Sequence, residues 1–225
     1  MTETIHRIDF RRVNAYLVES GSLITMIDSG LKGSFGRVEA ALRKIGRRPE
    51  DIGLIIQTHT HYDHTGNTAE CARRSGARVA VQRSEAEDLA AGYSSFPAGA
   101  TPLGKIVTGL ARILRVDGSA FSPVKADLLV DEEMDLHEYG FPGTAIHTPS
   151  HSAGSMSLLT DGGACFPGDI LFNIFPGTVR PPFADYPDRL REHWRRLLDR
   201  GARMFYPGHG APFHREKTEA ELQRL

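Results

Sequence analysis

The chain has 225 residues, 40% of them hydrophobic and 24% charged, with a formal net charge of −1. That length suits one large domain or two small ones, and the composition is that of a soluble globular protein. The balanced charge speaks against a nucleic-acid partner, and no apolar run in the sequence reaches membrane-spanning length.

Three β-rich runs come first: TIHRIDF, VNAYLVE and SLITMID, separated by turn material such as Ser20-Gly21. SFGRVEAALRKIG predicts a helix with Phe35, Val38, Ala41, Leu42 and Ile45 as its apolar stripe, Ser34 as N-cap and Gly46 as stop. The nearly continuous apolar run IGLIIQT predicts a strand covered on both faces. A helix from about Asn67 to Ser75, the strand RVAVQ and a helix near Ser84 to Ala91 follow. The second half repeats the style, with strands near ADLLVD, TAIHT, SMSLLTD and ACFPGD. Then come the helix DRLREHWRRLLDR, with Leu190, Trp194, Leu197 and Leu198 inward, the strand ARMFYPG and a short C-terminal helix. Sets of strands with helices between them predict packed sheets with helices outside, as one domain over residues 1–225.

Residues 92–126 interrupt this pattern. Between two loop-like stretches, LGKIVTGLARILRV predicts a helix with Leu103, Ile106, Val107, Leu110, Ala111 and Leu114 on one face. That face either packs into the core or caps a substrate pocket. The cysteines, Cys71 and Cys165, form no CxxC pair and no disulfide framework, and MTETIHRIDF holds no apolar signal core, so a cytoplasmic protein is expected.

The chemistry concentrates in IIQTHTHYDHTG, which sets His59, His61, Asp63 and His64 directly after an apolar strand. Imidazole and carboxylate suit zinc, iron and manganese. Alternate residues of an extended stretch point the same way, so His59 and His61 can face one ion, and a turn after His61 lets Asp63 and His64 face a second. The spacing does not fit the single helix face of H-E-x-x-H. Further ligands are expected from loops at the same sheet edge. HTPSHSAGS offers His151, CFPGDILF offers Asp169 and FYPGHGAP offers His209, each near a strand end in Pro/Gly-rich surroundings.

With these residues in place, the chain resembles the metallo-β-lactamase-fold hydrolase superfamily over nearly its whole length. The resemblance implies a four-layer αββα sandwich of α/β (α+β) class. It implies one metal on His59, His61 and His151, a second on Asp63, His64 and His209, and Asp169 bridging. Asp28, in MIDSG, matches a family position that supports the site, although a plain Asp-Ser-Gly turn explains it equally well. His147 is expected to be a structural neighbour, and His6, His137, His193 and His214 to lie outside the site, with His193 on the surface. TPSHSAGS and YPGHG are most similar to the glyoxalase II-like branch, which hydrolyses glutathione thioesters. The G-R-T-D-F-type segment usual there after the bridging aspartate is replaced here by ILFNIFPGTVRPPF.

The expected activity is therefore that of a binuclear metallo-hydrolase with two divalent ions, zinc first and iron or manganese as alternatives. A hydroxide bridging the ions would attack a thioester, ester or lactone of a small anionic metabolite, with Asp63 or Asp169 orienting it or moving its proton. Asn173, Arg180 and residues 92–126 are candidates for substrate selection. The expected partner is a small molecule, with neither nucleic acid nor membrane, and a homodimer is open. Two alternatives use the same scaffold: a persulfide dioxygenase-like oxidoreductase with one iron on His59, His151 and Asp169, and a phosphodiesterase or nuclease.

Overall fold

The structure, a computed structural model, describes residues 3–95, 97–113 and 120–224. The first half supplies β1 (Thr4–Asp9), β2 (Asn14–Ser20), β3 (Leu23–Ile27), α1 (Phe35–Lys44), β4 (Ile52–Ile56), α2 (Tyr62–Thr65), α3 (Thr68–Ser75), β5 (Arg78–Gln82), α4 (Ala86–Ala91) and α5 (Pro102–Ile113). The second supplies β6 (Leu128–Val130), β7 (Glu133–Asp135), β8 (Gly143–His147), β9 (Met156–Thr160), β10 (Ala164–Phe166), β11 (Phe172–Asn173), α6 (Leu190–Asp199), β12 (Met204–Phe205), β13 (His209–Gly210), β14 (Phe213–His214) and α7 (Arg215–Arg224). Two six-stranded sheets form, in the orders β1-β2-β3-β4-β5-β6 and β14-β12-β10-β9-β8-β7, with a separate β11-β13 pair.

The layering follows from the two-residue period of a strand, which sends sequence neighbours to opposite faces. Leu17, Met26 and Ile55 pack with Val38, Leu42 and Cys71 of α1 and α3. Their neighbours Val18, Ile27 and Ile56 pack instead with Met156, Leu158 and Phe166 of the second sheet and with Phe141, which precedes β8. On the far side, Ile146, Leu159, Cys165 and Phe205 meet Trp194 and Leu197 of α6. Three apolar layers thus separate helix, sheet, sheet and helix, the αββα arrangement. Both cysteines are free and buried. Among the described residues, no helix is long and apolar enough to cross a membrane.

One expectation changes and two are refined. Ser34 holds the N-cap position of α1, where its carbonyl accepts from Arg37 N–H at 2.9 Å, but its hydroxyl donates to the Leu31 carbonyl and makes no side-chain cap. His193 is buried, 6% exposed, with neither ring nitrogen hydrogen-bonded. It joins Leu190, Trp194, Leu197 and Leu198 on the buried face of α6, because positions three and four apart share one side of a helix. On α5, the described members of the apolar face do not sink into the core: Ile106, Val107 and Leu110 are 67%, 40% and 54% exposed, and the side chains of Leu103 and Ala111 lie outside the description. Leu114 lies outside the described residues.

Candidate metal centre

Strand ends deliver the side chains. After β4, Gln57 N–H still donates to Ala80 of β5, and the Thr58 carbonyl accepts from Met156 of β9, so both sheets grip the stretch that carries His59. His61 precedes the single turn α2, where His64 N–H donates back to the His61 carbonyl at 2.9 Å. Asp169 sits in a 3-10 turn after β10, and the Trp194 indole donates to Ile170 of that turn at 2.8 Å. His209 lies on β13, paired with Phe172 of β11.

The residues expected from sequence converge. The ligand atoms of His59, His61 and His151 lie within 4.8 Å of one another, and so do those of Asp63, His64 and His209. Asp169 stands between the trios, with carboxylate oxygens 3.5 Å from His151 Nε2, 3.3 Å from His64 Nε2 and 3.2 Å from His209 Nε2. His59 Nε2 lies 3.9 Å from the same carboxylate. His59, His64, His151 and Asp169 are buried, whereas Asp63 and His209 are partly exposed to a cavity that His151 and Asp169 also line.

Partners behind the imidazoles fix which nitrogen carries the proton. Asp28 accepts from His64 Nδ1 at 2.8 Å and from the Thr58 N–H and hydroxyl. With its own proton committed to Asp28, the Thr58 oxygen accepts from His59 Nδ1 at 3.1 Å. His151 Nδ1 donates to the Phe183 carbonyl at 2.9 Å, and His209 Nδ1 to that of Arg12 at 2.5 Å. The four Nε2 atoms therefore present lone pairs inward. His64 and His209 point theirs at each other across 3.4 Å, an arrangement that asks for a cation. His59 Nε2 and Asp169 Oδ1 are buried without a hydrogen-bond partner, so the donor set fits divalent metal. Gly208 keeps the space open, since a Cβ there would press on the Asp169 carboxylate and stand 2.6 Å from His64 Cε1.

Without an ion, burial and the neighbouring imidazoles push His59 and His61 well below the usual histidine range, and burial lowers His151. Burial also disfavours charge on His64 and His209, but nearby carboxylates, Asp169 foremost, outweigh it and raise both. For Asp169, burial is overcome by His209 and His64, and its carboxyl falls well below the usual range.

Three supports were not legible in the sequence. Glu85, 5% exposed, accepts from Thr60 N–H at 2.5 Å, from the Ser152 hydroxyl and from Gly154 N–H at 3.3 Å, clamping the His59–His61 stretch to the His151 loop. Asn14 Nδ2 donates to the Pro207 and Gly210 carbonyls on either side of His209. Arg12 supplies the His209 acceptor from a turn in which Arg11 has φ of 76°. That left-handed conformation costs a non-glycine residue about 1 kcal/mol. Asp9 latches it by accepting Arg11 N–H at 2.6 Å.

Of the other candidates, His147 is held by the Ala153 carbonyl at 2.9 Å and belongs to neither trio. Asn173 and Arg180 are not among the residues lining the cavity. The Asn173 amide is engaged by the Ala211 carbonyl and Lys217. The cavity, about 700 Å³, has His61, Asp63, His151, Asp169 and His209 in its lining.

Comparison with known proteins agrees with this geometry. A probable metallo-hydrolase of Methanocaldococcus jannaschii is 28% identical over 203 residues, 88% of this chain and 87% of that protein. The acyl-coenzyme A thioesterase MBLAC2 of Bos taurus is 27% identical over 92% of this chain and 76% of its own length. The crystal structure of a metallo-beta-lactamase family protein from Thermus thermophilus superposes with a TM-score of 0.70 at 20% identity, covering 99% of this chain and 78% of that one. The sequence profile of the metallo-beta-lactamase superfamily matches residues 8–209, and with the αββα layers and the histidine–aspartate cluster at their edge it places the chain in that superfamily of metallo-hydrolases.

Proposed function

We propose that this metallo-hydrolase is binuclear and cleaves a thioester, ester or lactone of a small anionic metabolite. One observation carries the proposal: two ligand trios flank a single buried carboxylate at the floor of a cavity. His59, His61 and His151 would hold one ion, Asp63, His64 and His209 the other, and Asp169 both. Zinc suits this mixture of imidazole and carboxylate. Bound divalent ions supply an acidified water and polarise the carbonyl oxygen.

The chain's own groups do the rest. Asp63 lies on the cavity side of its trio, 3.5 Å from His209, where its carboxylate can orient a water and carry a proton to the leaving group. Asp169 is boxed in by imidazoles, which suits it to holding ions more than to shuttling protons. The glyoxalase II-like motifs and the acyl-coenzyme A thioesterase relative both favour a thioester among the three bonds.

Metal analysis of the purified protein beside a hydrolysis panel of thioesters, esters, lactones and phosphodiesters tests this. About two zinc per chain is expected, with turnover of acyl substrates that chelation abolishes. One iron per chain with sulfur oxidation, or turnover of phosphodiesters alone, would overturn it.

A further inference from the structure

The cavity above the metal centre has two unlike ends. The His151 end is apolar: Pro97, Val107, Pro182 and Phe183 line it. Two contacts fix those residues to that end, since the Phe183 carbonyl holds His151 Nδ1 and α5 packs on Pro182 through Gly104. The His209 end is mixed: Phe172 stacks on His209 at 4.6 Å, Ile174 and Phe175 follow it along the chain, and arginines share the lining. Arg7 of β1 and Arg11 and Arg12 of the β1–β2 turn line this end, and the Arg12 carbonyl holds His209 Nδ1. Arg7 is engaged with Asp9 at 3.4 Å. Among the described residues, no ion-pair partner meets the exposed side chains of Arg11 and Arg12. A left-handed residue latched by Asp9 is a built turn; it sets the Arg12 backbone against His209, and both arginines line the cavity that Asp63 and His209 also line.

We infer that the substrate is an ester or thioester joining an apolar acyl group to an alcohol or thiol that carries phosphate or comparable anionic groups. The acyl chain lies against Val107 and its neighbours at the His151 end, and the anionic leaving group against Arg11 and Arg12. This orientation follows from Asp63, which stands at the His209 end where the departing oxygen or sulfur needs a proton. Hydrolysis breaks the bond between acyl carbon and leaving atom. Water provides the new acyl C–O bond and the proton on the alcohol or thiol, and the acid product sheds one proton at neutral pH. The substrate class rests on the hydrolase proposed above; the anion-receiving arm is testable without turnover.

Binding comes first, by calorimetry of the metal-loaded protein with the non-hydrolysable octyl thioether of coenzyme A, a phosphorylated thiol. Affinity is expected to fall about tenfold in each of Arg11→Ala and Arg12→Ala, and to weaken with salt, because charge-assisted contacts at a surface are screened. Turnover comes second, with octanoyl and acetyl thioesters of coenzyme A and of the neutral thiol N-acetylcysteamine. The coenzyme A to N-acetylcysteamine ratio of kcat/KM should exceed about ten and collapse in the arginine variants. The octanoyl to acetyl ratio should fall in Val107→Asp. Equal affinity of wild type and both arginine variants for the thioether, or preference for a succinyl thioester of the neutral thiol, overturns the inference. Thioether binding that depends on both arginines, without cleavage of any acyl substrate, upholds the arm and defeats the hydrolase proposal.

Discussion

The floor of the cavity and the outer face of α5 are both rich in residues that stand out in the sequence, yet they are built by opposite rules. At the floor, the side chains of His59, His64, His151 and Asp169 are 0%, 0%, 2% and 5% exposed, and a second group positions each imidazole. On α5, Ile106 and Leu110 are 67% and 54% exposed, at positions where burial would stabilise them. The imidazoles are thus lodged where burial and hydrogen bonds hold their rings, whereas the exposed face of α5 is held by little. Substitutions at the floor should damage function far more than substitutions on α5.

The largest effect is expected at Asp169. Asp169→Ala removes the carboxylate that stands between the two trios, and on the proposed binuclear reading each ion would contribute several kcal/mol of transition-state stabilisation. A loss of kcat of about 10³-fold or more follows, since 1.36 kcal/mol is a factor of ten. Steady-state kinetics with metal analysis checks it; wild-type turnover in this variant would remove the shared-carboxylate reading. Next comes Asp28→Ala, which touches no cavity but frees the His64 ring and unseats Thr58. A loss of metal affinity of about 10- to 100-fold is expected from deleting such an orienting carboxylate. Competition with a chromophoric chelator measures it.

Glu85 carries a smaller but unusual prediction. Glu85→Ala leaves Thr60 N–H, Gly154 N–H and the Ser152 hydroxyl without their acceptor. Each stranded buried group costs about 1–3 kcal/mol, and relaxation recovers part of the total. Denaturant titration should show a loss of about 2–4 kcal/mol, with Glu85→Gln retaining more because its amide oxygen can still accept. Burial already raises the Glu85 carboxyl above its ordinary range, so the neutral isostere is less foreign there than at the surface.

Protons sharpen the contrast within the floor itself. In the metal-free chain, His59, His61 and His151 have folded pKa values below the unfolded one, so their contribution declines as pH falls below about 6.5. His64 and His209 have raised values, so theirs is complete below about 6.5 and is lost as pH rises through the raised values. The metal-free protein should therefore have a melting-temperature maximum near pH 6.5. Metal affinity should rise with pH as His64 and His209 release their protons. A melting temperature that climbs steadily from pH 5 to 9 without metal would contradict the assignment of the two groups.

What could be read from the sequence was whatever lies close along the chain or repeats a local grammar. His59, His61, Asp63 and His64 are neighbours, and His151, Asp169 and His209 each occupy a Pro/Gly-rich strand end, so all seven were visible. The order of strands and helices likewise predicted packed sheets with helices outside, and the family resemblance implied the αββα layers. Glu85, Asn14 and Arg12 were not visible, because they work through backbone atoms 25 to 197 residues away, and no spacing rule reports such contacts. His193 was misplaced for a different reason. Charged neighbours on both sides suggested a surface, whereas its position three after Leu190 and four before Leu197 puts it on the buried side of α6, where only the packed sheet decides exposure.

The smallest effect is expected on α5. Ile106→Ser replaces a side chain that is two-thirds exposed, and solvent-facing substitutions usually stay within about 0.5 kcal/mol. Thermal unfolding should scarcely change. Helix propensity favours neither residue strongly, so any shift reports tertiary contact. A loss above about 1.5 kcal/mol would mean that Ile106 is covered in solution, since burying such a side chain is worth that much. The open face of α5 would then be an interface, and the contrast between a specified floor and an unspecified rim would fail at this helix.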